Sequence, residues 1–411
     1  MSDTTQTLRA DGAPAPVLPP AAARWLAGAA LVSATAVLAV LLARATDGLP
    51  HVLPGYARWQ DEAYASVPQF LRWWIGDATE AQFYKSAPGG ICMIAGGWLA
   101  HTAARRGRRW AGFPLACGSG LWPWLLYSAV LGLLLSDLAW GWTIPATGRW
   151  QPTFVPFLSV PPAVVLVYGA GWSVAVTGAV LGAALATPAA LVVTNFFCQP
   201  LHLPNVIGCV TGMWAGALLA FLVCRHLPWM PRPLPAARTG EPPAAVPGRD
   251  EFGAGWVVRR VLADFTEAQF YGNELASAGL IGATLAAYLL NPLTPVYGST
   301  LLPALLTAQV LAGTLGVLLY HRRWAAAGWY PTFVPVVSLA PAIVLTYGGT
   351  VQAVVAGAVG GAVAGPPLAA LISRRLPADF HPFIGNVASM AVCTLVGVPL
   401  LGLLPGFVST L

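Results

Sequence analysis

The sequence predicts an all-α polytopic membrane protein of about 11 transmembrane helices, arranged as 1 + 5 + 5 with inverted-topology repeats. Three observations predict it. The 411 residues are 57% hydrophobic and only 9% charged, whereas a soluble domain carries about 25% charged residues. One stretch, W-x-P-T-F-V-P-x-x-S-x-x-P-A-x-V-L-x-Y-G, occurs twice, from Trp150 to Gly169 and from Trp329 to Gly348. Its thirteen identical positions mark an internal duplication. Lastly, the basic residues are unevenly spread among the loops, and the bias reverses between the two copies.

In order along the chain, residues 1–24 are polar and rich in Pro and Ala, as expected of a disordered cytoplasmic tail. Residues 25–45 hold an apolar run long enough to cross a bilayer, which takes about 20 residues. They read as transmembrane helix 1, a signal anchor, although Ala43-Arg44-Ala45 resembles a signal-peptidase site. Residues 46–69 form an extracytoplasmic loop, 70–224 the first membrane repeat, 225–250 a Pro-, Ala- and Arg-rich cytoplasmic linker, and 251–405 the second repeat. Spans are expected at 87–104, 121–142, 154–171, 172–195 and 206–224, then at 272–290, 301–320, 332–349, 350–372 and 384–403.

A second motif, D-x-T-E-A-Q-F-Y, also occurs twice, as Asp77–Tyr84 and Asp264–Tyr271. Ahead of each copy, apolar residues at helical spacing with charges between them predict a short interfacial helix. Thr79 with Gln82, and Thr266 with Gln269, fit a capping box for the following helix. Glu80 and Glu267 would then lie in a first turn, where the helix dipole favours a carboxylate.

The basic residues test the arrangement. With the N-terminus inside and the second copy inverted, sixteen Lys and Arg lie inside and five outside. A parallel second copy moves Arg322, Arg323, Arg374 and Arg375 outside, leaving twelve against nine. Positive charge favours the cytoplasmic side, so the inverted arrangement is expected, with the N-terminus cytoplasmic and the C-terminus extracytoplasmic.

Pro156 and Pro162, like Pro335 and Pro341, each remove a backbone donor inside an apolar span. The spans at 154–171 and 332–349 are therefore expected to be broken, either crossing fully or re-entering. Discontinuous helices commonly form the substrate site of inverted-repeat transporters. Ser159 and Ser338, between the prolines, with Thr153, Thr332, Tyr168 and Tyr347 at the ends, are the candidate substrate-binding residues. The alternative is that these hydroxyls bond back to their own backbone. Glu80, Glu267, Gln82 and Gln269 form a candidate polar or coupling site, because acids within membrane segments are functional by default.

The duplicated unit of roughly 180 residues resembles, in repeat length and layout, an uncharacterised family of bacterial integral membrane proteins carrying two such domains. That resemblance implies a bacterial inner-membrane protein but no function. The six cysteines show no metal-ligand spacing; no nucleophile elbow, P-loop or zinc motif is present, so no enzyme activity, metal or cofactor is expected. No basic stripe with interleaved aromatics points to nucleic acid. The expected function is a secondary transporter moving a small solute, with a proton or sodium as coupling ion and the lipid bilayer as partner; an oligomer is compatible with this. A passive channel for a small neutral solute and a non-transporting scaffold or sensor are the alternatives.

Overall fold

The computed structural model describes residues 20–46, 48–49, 51–234 and 252–409. Among them the chain folds into helices and connecting turns, with no strand. Helix α1 spans Pro20–Ala45, α2 Tyr56–Asp61, α3 Val67–Asp77, α4 Ala87–Arg105, α5 Trp122–Trp140, α6 Thr143–Thr147 and α7 Val160–Tyr168. Next come α8 Trp172–Leu181, α9 Thr187–Val193 and α10 Asn205–Cys224. The second half holds α11 Ala254–Asp264, α12 Glu274–Leu290, α13 Leu302–Ala327, α14 Leu339–Tyr347, α15 Val351–Ser373 and α16 Phe383–Gly402.

Every expected span contains a helix, although those at 154–171 and 332–349 are helical only in part. Among the described residues, seven units are long and apolar enough to cross a membrane: Ala21–Ala45, Trp122–Trp140, Trp172–Cys198, Asn205–Cys224, Leu302–Ala327, Val351–Ser373 and Phe383–Gly402. This make-up is compatible with a multi-pass membrane protein. Residues 1–19 of the expected tail and 235–250 of the linker lie outside the described residues. Residues 20–24, expected as tail, are already helical: proline is favoured in a first helical turn and the alanines behind it are strong helix formers.

Both copies of the long motif fold alike. A 3-10 turn, Val155–Leu158 or Val334–Val337, leads to a serine with non-helical backbone and then to α7 or α14. The break falls at Ser159 (φ −129°, ψ −107°) and Ser338 (φ −140°, ψ −97°), not at a proline kink. Pro156, Pro335 and the Pro161-Pro162 pair instead occupy first-turn positions, where a missing N–H leaves no hydrogen bond unmade. The units Val155–Tyr168 and Val334–Tyr347 are about 21 Å long if fully helical, short of the roughly 30 Å hydrocarbon layer.

Glycines explain how these broken units are seated. A Cβ on Gly178 would lie 3.1 Å from the Pro161 carbonyl oxygen, and one on Gly182 2.7 Å from the Pro161 ring. Gly357 and Gly361 meet Ala340 and Pro335 in the same way, at 3.1 and 2.8 Å. Gly178 of α8 with Gly182 just beyond it, and Gly357 with Gly361 of α15, thus form grooves for the two copies of the motif. Beyond Gly182 the chain widens into π turns at Gly182–Ala186 and Thr194–Cys198. Pro188, which cannot donate to the preceding turn, lies just after the first of them.

The expected capping boxes do not form. Thr79 Oγ1 donates to the Gly76 carbonyl at 2.8 Å and accepts from the Ser86 amide at 2.8 Å, closing a loop. Phe83 (φ 65°) and Phe270 (φ 63°) take left-handed backbone and end the turn before a helix can grow. The caps come later. Ser86 Oγ accepts from Gly89 N to start α4, and Asn273 Oδ1 accepts from Leu275 N and Ala276 N to start α12.

Helices α4 and α12 each follow one D-x-T-E copy, and their backbones pack closely against each other. A Cβ on Gly96 would lie 2.6 Å from the Leu275 oxygen, and one on Gly279 2.4 Å from the Cys92 oxygen. Numbers rise along α4 as they fall along α12, so the pair runs antiparallel. Gly96→Ala or Gly279→Ala is expected to destabilise the fold by about 1–3 kcal/mol through overpacking. Gly282→Ala, on the open face of the same helix with nothing within 4 Å, is expected to be neutral or to stabilise by up to about 1 kcal/mol. Unfolding of the purified protein in detergent reads the contrast.

Candidate functional site

The site grows from the short segments between α3 and α4 and between α11 and α12. In the first copy Asp77 ends α3, and its carboxylate forms an ion pair with Lys85. Lys85 Nζ also lies 3.2 Å from Glu80 Oε1 and 3.4 Å from the centre of the Trp73 ring. The long motif supplies the remaining donors. Thr153 Oγ1 donates to Asp77 Oδ2 at 2.8 Å, and Trp150 Nε1 donates to Glu80 Oε1 at 3.0 Å. The Tyr297 hydroxyl, from the second half, donates to Glu80 Oε2.

The second copy repeats the plan with a different cation. Arg260 Nη2 reaches Asp264 Oδ1 at 2.9 Å and Glu267 Oε2 at 2.7 Å. Trp329 Nε1 donates to Glu267 Oε1 at 2.9 Å, as Trp150 does to Glu80. Arg260 holds the sequence position of Trp73, and Gly272 holds that of Lys85. A Cβ on Gly272 would lie 2.2 Å from Glu267 Oε2, so the space filled by a lysine stem in one copy is closed in the other. Both cations are buried, at 0% and 5% exposure. A third acid, Asp137 of α5, is buried near the first cluster and accepts from the Tyr64 hydroxyl at 3.0 Å. It has no counterpart in the second copy.

Gln82 and Gln269 join the two clusters. Gln82 Nε2 donates to Gln269 Oε1 at 2.9 Å, and Gln269 Nε2 donates to Gln82 Oε1 at 2.8 Å. Each amide also donates to a backbone oxygen of the opposite copy, that of Phe265 or Ala78. The two copies are thus bonded through a residue and its own duplicate.

A cavity of about 1070 Å³ lies beside these clusters. Its wall takes residues in pairs that are equivalent in the duplicated sequence, among them Glu80 with Glu267, Trp150 with Trp329 and Phe154 with Phe333. Lys85 and Arg260 do not reach the wall, whereas the glutamates they neutralise do. The other expected residues lie elsewhere. Ser159 Oγ donates to the Val155 carbonyl at 2.6 Å and Ser338 Oγ to the Val334 carbonyl at 2.5 Å, so both hydroxyls serve their own turn. The Thr332 hydroxyl accepts from Trp324 Nε1, Tyr347 donates to the Val398 carbonyl, and Tyr168 stacks on Phe221. Neither these five nor Thr153 lines the cavity.

No protein-family model matches the chain, and no curated protein is significantly similar to it.

Sequence reasoning missed Lys85, Arg260 and Tyr297. The signal for Lys85 was present: it is the only lysine, and it directly follows the D-x-T-E-A-Q-F-Y motif. In the sequence it reads as a loop charge outside the membrane, and Arg260 as one inside. With both removed as buried, the loop count becomes fifteen against four, and the bias stands. Truncating either cation leaves buried carboxylates uncompensated. Lys85→Met and Arg260→Met are each expected to destabilise the protein by about 3–5 kcal/mol. Adding Asp77→Asn to the former, or Asp264→Asn to the latter, should restore part of that loss. Denaturation of the single and double variants checks it, and the absence of any rescue would show that the cation acts through packing alone.

Proposed function

We propose that the protein is a secondary transporter that moves a small solute across the bacterial inner membrane, with the two copies related by an inverted arrangement. The supporting observation is the cavity, whose wall takes equivalent residues from both copies and carries the two repeated glutamates. A transporter that alternates its access needs two similar halves around one site near the midplane. The antiparallel packing of α4 on α12, which follow equivalent motifs, agrees with inversion. So do the loop charges, at fifteen against four. A passive pore for a neutral solute needs an uncharged path, and carboxylates on the wall speak against that.

On this reading the eleven helical units cross or enter the bilayer, the N-terminus is cytoplasmic and the C-terminus extracytoplasmic. Glu80 and Glu267 are the groups placed to sense solute and coupling ion, and Gln82 with Gln269 is the joint between halves. In a background lacking the six native cysteines, Arg106→Cys, Arg322→Cys and Arg374→Cys are expected to resist impermeant thiol reagents in intact cells. Pro295→Cys should be labelled. Labelling at Arg322→Cys would overturn the inverted arrangement. Transport itself is tested in proteoliposomes with a panel of small solutes, under an imposed proton or sodium gradient and without one. Gradient-dependent accumulation is expected; equilibration indifferent to either gradient would make the protein a passive channel.

A further inference from the structure

We propose that the cavity binds a lipophilic protonated amine, a +1 cation carrying an N–H and aromatic or branched apolar bulk; this rests on the reading of the cavity as the solute site. Size is the first argument. About 1070 Å³ is the volume of a site for a drug-sized molecule and far more than a bare ion requires.

Charge is the second. Each copy sets two carboxylates against one cation, Asp77 and Glu80 against Lys85, Asp264 and Glu267 against Arg260. With all groups ionised, each such set carries a formal charge of −1, to which the nearby Asp137 adds a further −1 in the first copy, and the face each set turns to the cavity is the glutamate. His381, also on the wall, does not offset this. Burial between Phe270 and Phe383 pushes its pKa down to about 4, so it is neutral at pH 7. Arg374, the other basic residue there, is exposed. An anion would therefore meet a field of its own sign.

The third argument is the chemistry of the wall. The aromatic residues Phe83, Trp150 and Phe154 and their counterparts Phe270, Trp329 and Phe333 line the cavity, and aromatic faces attract cations. The indole N–H groups of Trp150 and Trp329 are both spent on the glutamates, so they offer an anion nothing. Asn386 then decides the type of cation. It is 5% exposed, lies on the wall, and its Oδ1 is buried without a hydrogen-bond partner. A lone acceptor in an apolar wall is costly until a donor arrives. Both oxygens of Glu80 and of Glu267 already have donors. The carboxylates thus supply the field, and Asn386, on turning its amide toward the cavity, supplies the acceptor for an ammonium N–H. The other copy does not duplicate it: aligning Gly208-x-Val210-x-x-Met213 with Gly385-x-Val387-x-x-Met390 puts Cys209 opposite Asn386.

The test uses the purified full chain and three probes with one diphenylalkyl body. They are N,N-dimethyl-3,3-diphenylpropylamine, its quaternary N-methyl derivative, and 4,4-diphenylbutanoate. Calorimetry and tryptophan quenching, corrected for empty micelles, read binding. The amine is expected to saturate one site, roughly tenfold or more tighter than the carboxylate. Asn386→Leu keeps every ion pair and should weaken the amine about tenfold while leaving the quaternary probe unchanged. Glu80→Gln combined with Glu267→Gln should abolish the preference for cations, and is read only if the variant keeps its unfolding temperature. Equal affinity for the carboxylate, or an amine affinity indifferent to Asn386→Leu, overturns the proposal. Gradient-driven flux of another solute without amine binding would sink this ligand class alone. Amine binding without gradient-driven flux would sink the transport reading alone.

Discussion

Four acids, Asp77, Glu80, Asp264 and Glu267, lie inside a chain that has few charges to spend, and the surrounding structure is arranged to hold them. Removing an ion from water costs several kcal/mol even after relaxation, and that cost is offset only by close opposite charge and well-aimed donors. Here the two duplicated motifs supply each other. The W-x-P-T copies carry the indoles that donate to Glu80 and Glu267, and Thr153 donates to Asp77. Motifs some seventy residues apart in each copy are therefore the two sides of one contact. This gives a physical reason for both to have survived the divergence of the halves.

The cations follow a looser rule. An acid pair needs one positive partner within reach, but the partner can come from either side of the motif. Lys85 arrives from behind it and rests on Trp73; Arg260 arrives from the position of Trp73 and leaves Gly272 where the lysine would stand. The two solutions do not combine in the second copy, since Arg260 holds the sequence position of Trp73 and a Cβ on Gly272 would lie 2.2 Å from Glu267 Oε2. They also differ in kind. A guanidinium spans both acids with a planar fork, whereas an ammonium is a compact point charge that is more readily deprotonated when buried. Cluster one, with its extra acid Asp137, is accordingly the less evenly balanced of the two.

Much of the helical plan was legible because apolar run length is a local property. The helix expected at 87–104 is Ala87–Arg105, which is not among the seven units apolar enough to cross a membrane, and that expected at 206–224 is Asn205–Cys224, which is. The break in each long motif was also legible, from proline density, although its cause was misplaced. The motif's prolines around each break sit in first turns, and it is Ser159 and Ser338 that turn the chain. What failed were inferences that depended on distant partners. Thr79 and Gln82 have capping-box spacing, but Phe83 takes left-handed backbone and Gln82 is drawn to Gln269, 187 residues away. Lys85 looked like a loop charge because hydropathy cannot report that two carboxylates and an indole enclose it. No spacing rule places Tyr297 on Glu80.

Duplication constrains the joint and the cavity wall differently. A position that meets its own duplicate must be chemically self-complementary. A carboxamide satisfies this, since each amide can give one hydrogen bond and accept one, as Gln82 and Gln269 do. Two glutamates there would repel and two leucines would leave the Phe265 and Ala78 carbonyls without donors. Wall positions carry no such restriction, because each faces the cavity and not its counterpart. Identical pairs such as Glu80 with Glu267 give the wall its common field, and unlike pairs such as Cys209 with Asn386 are free to break it. If the cavity takes a solute, as proposed, whatever distinguishes one orientation of it from another is carried by the unlike pairs.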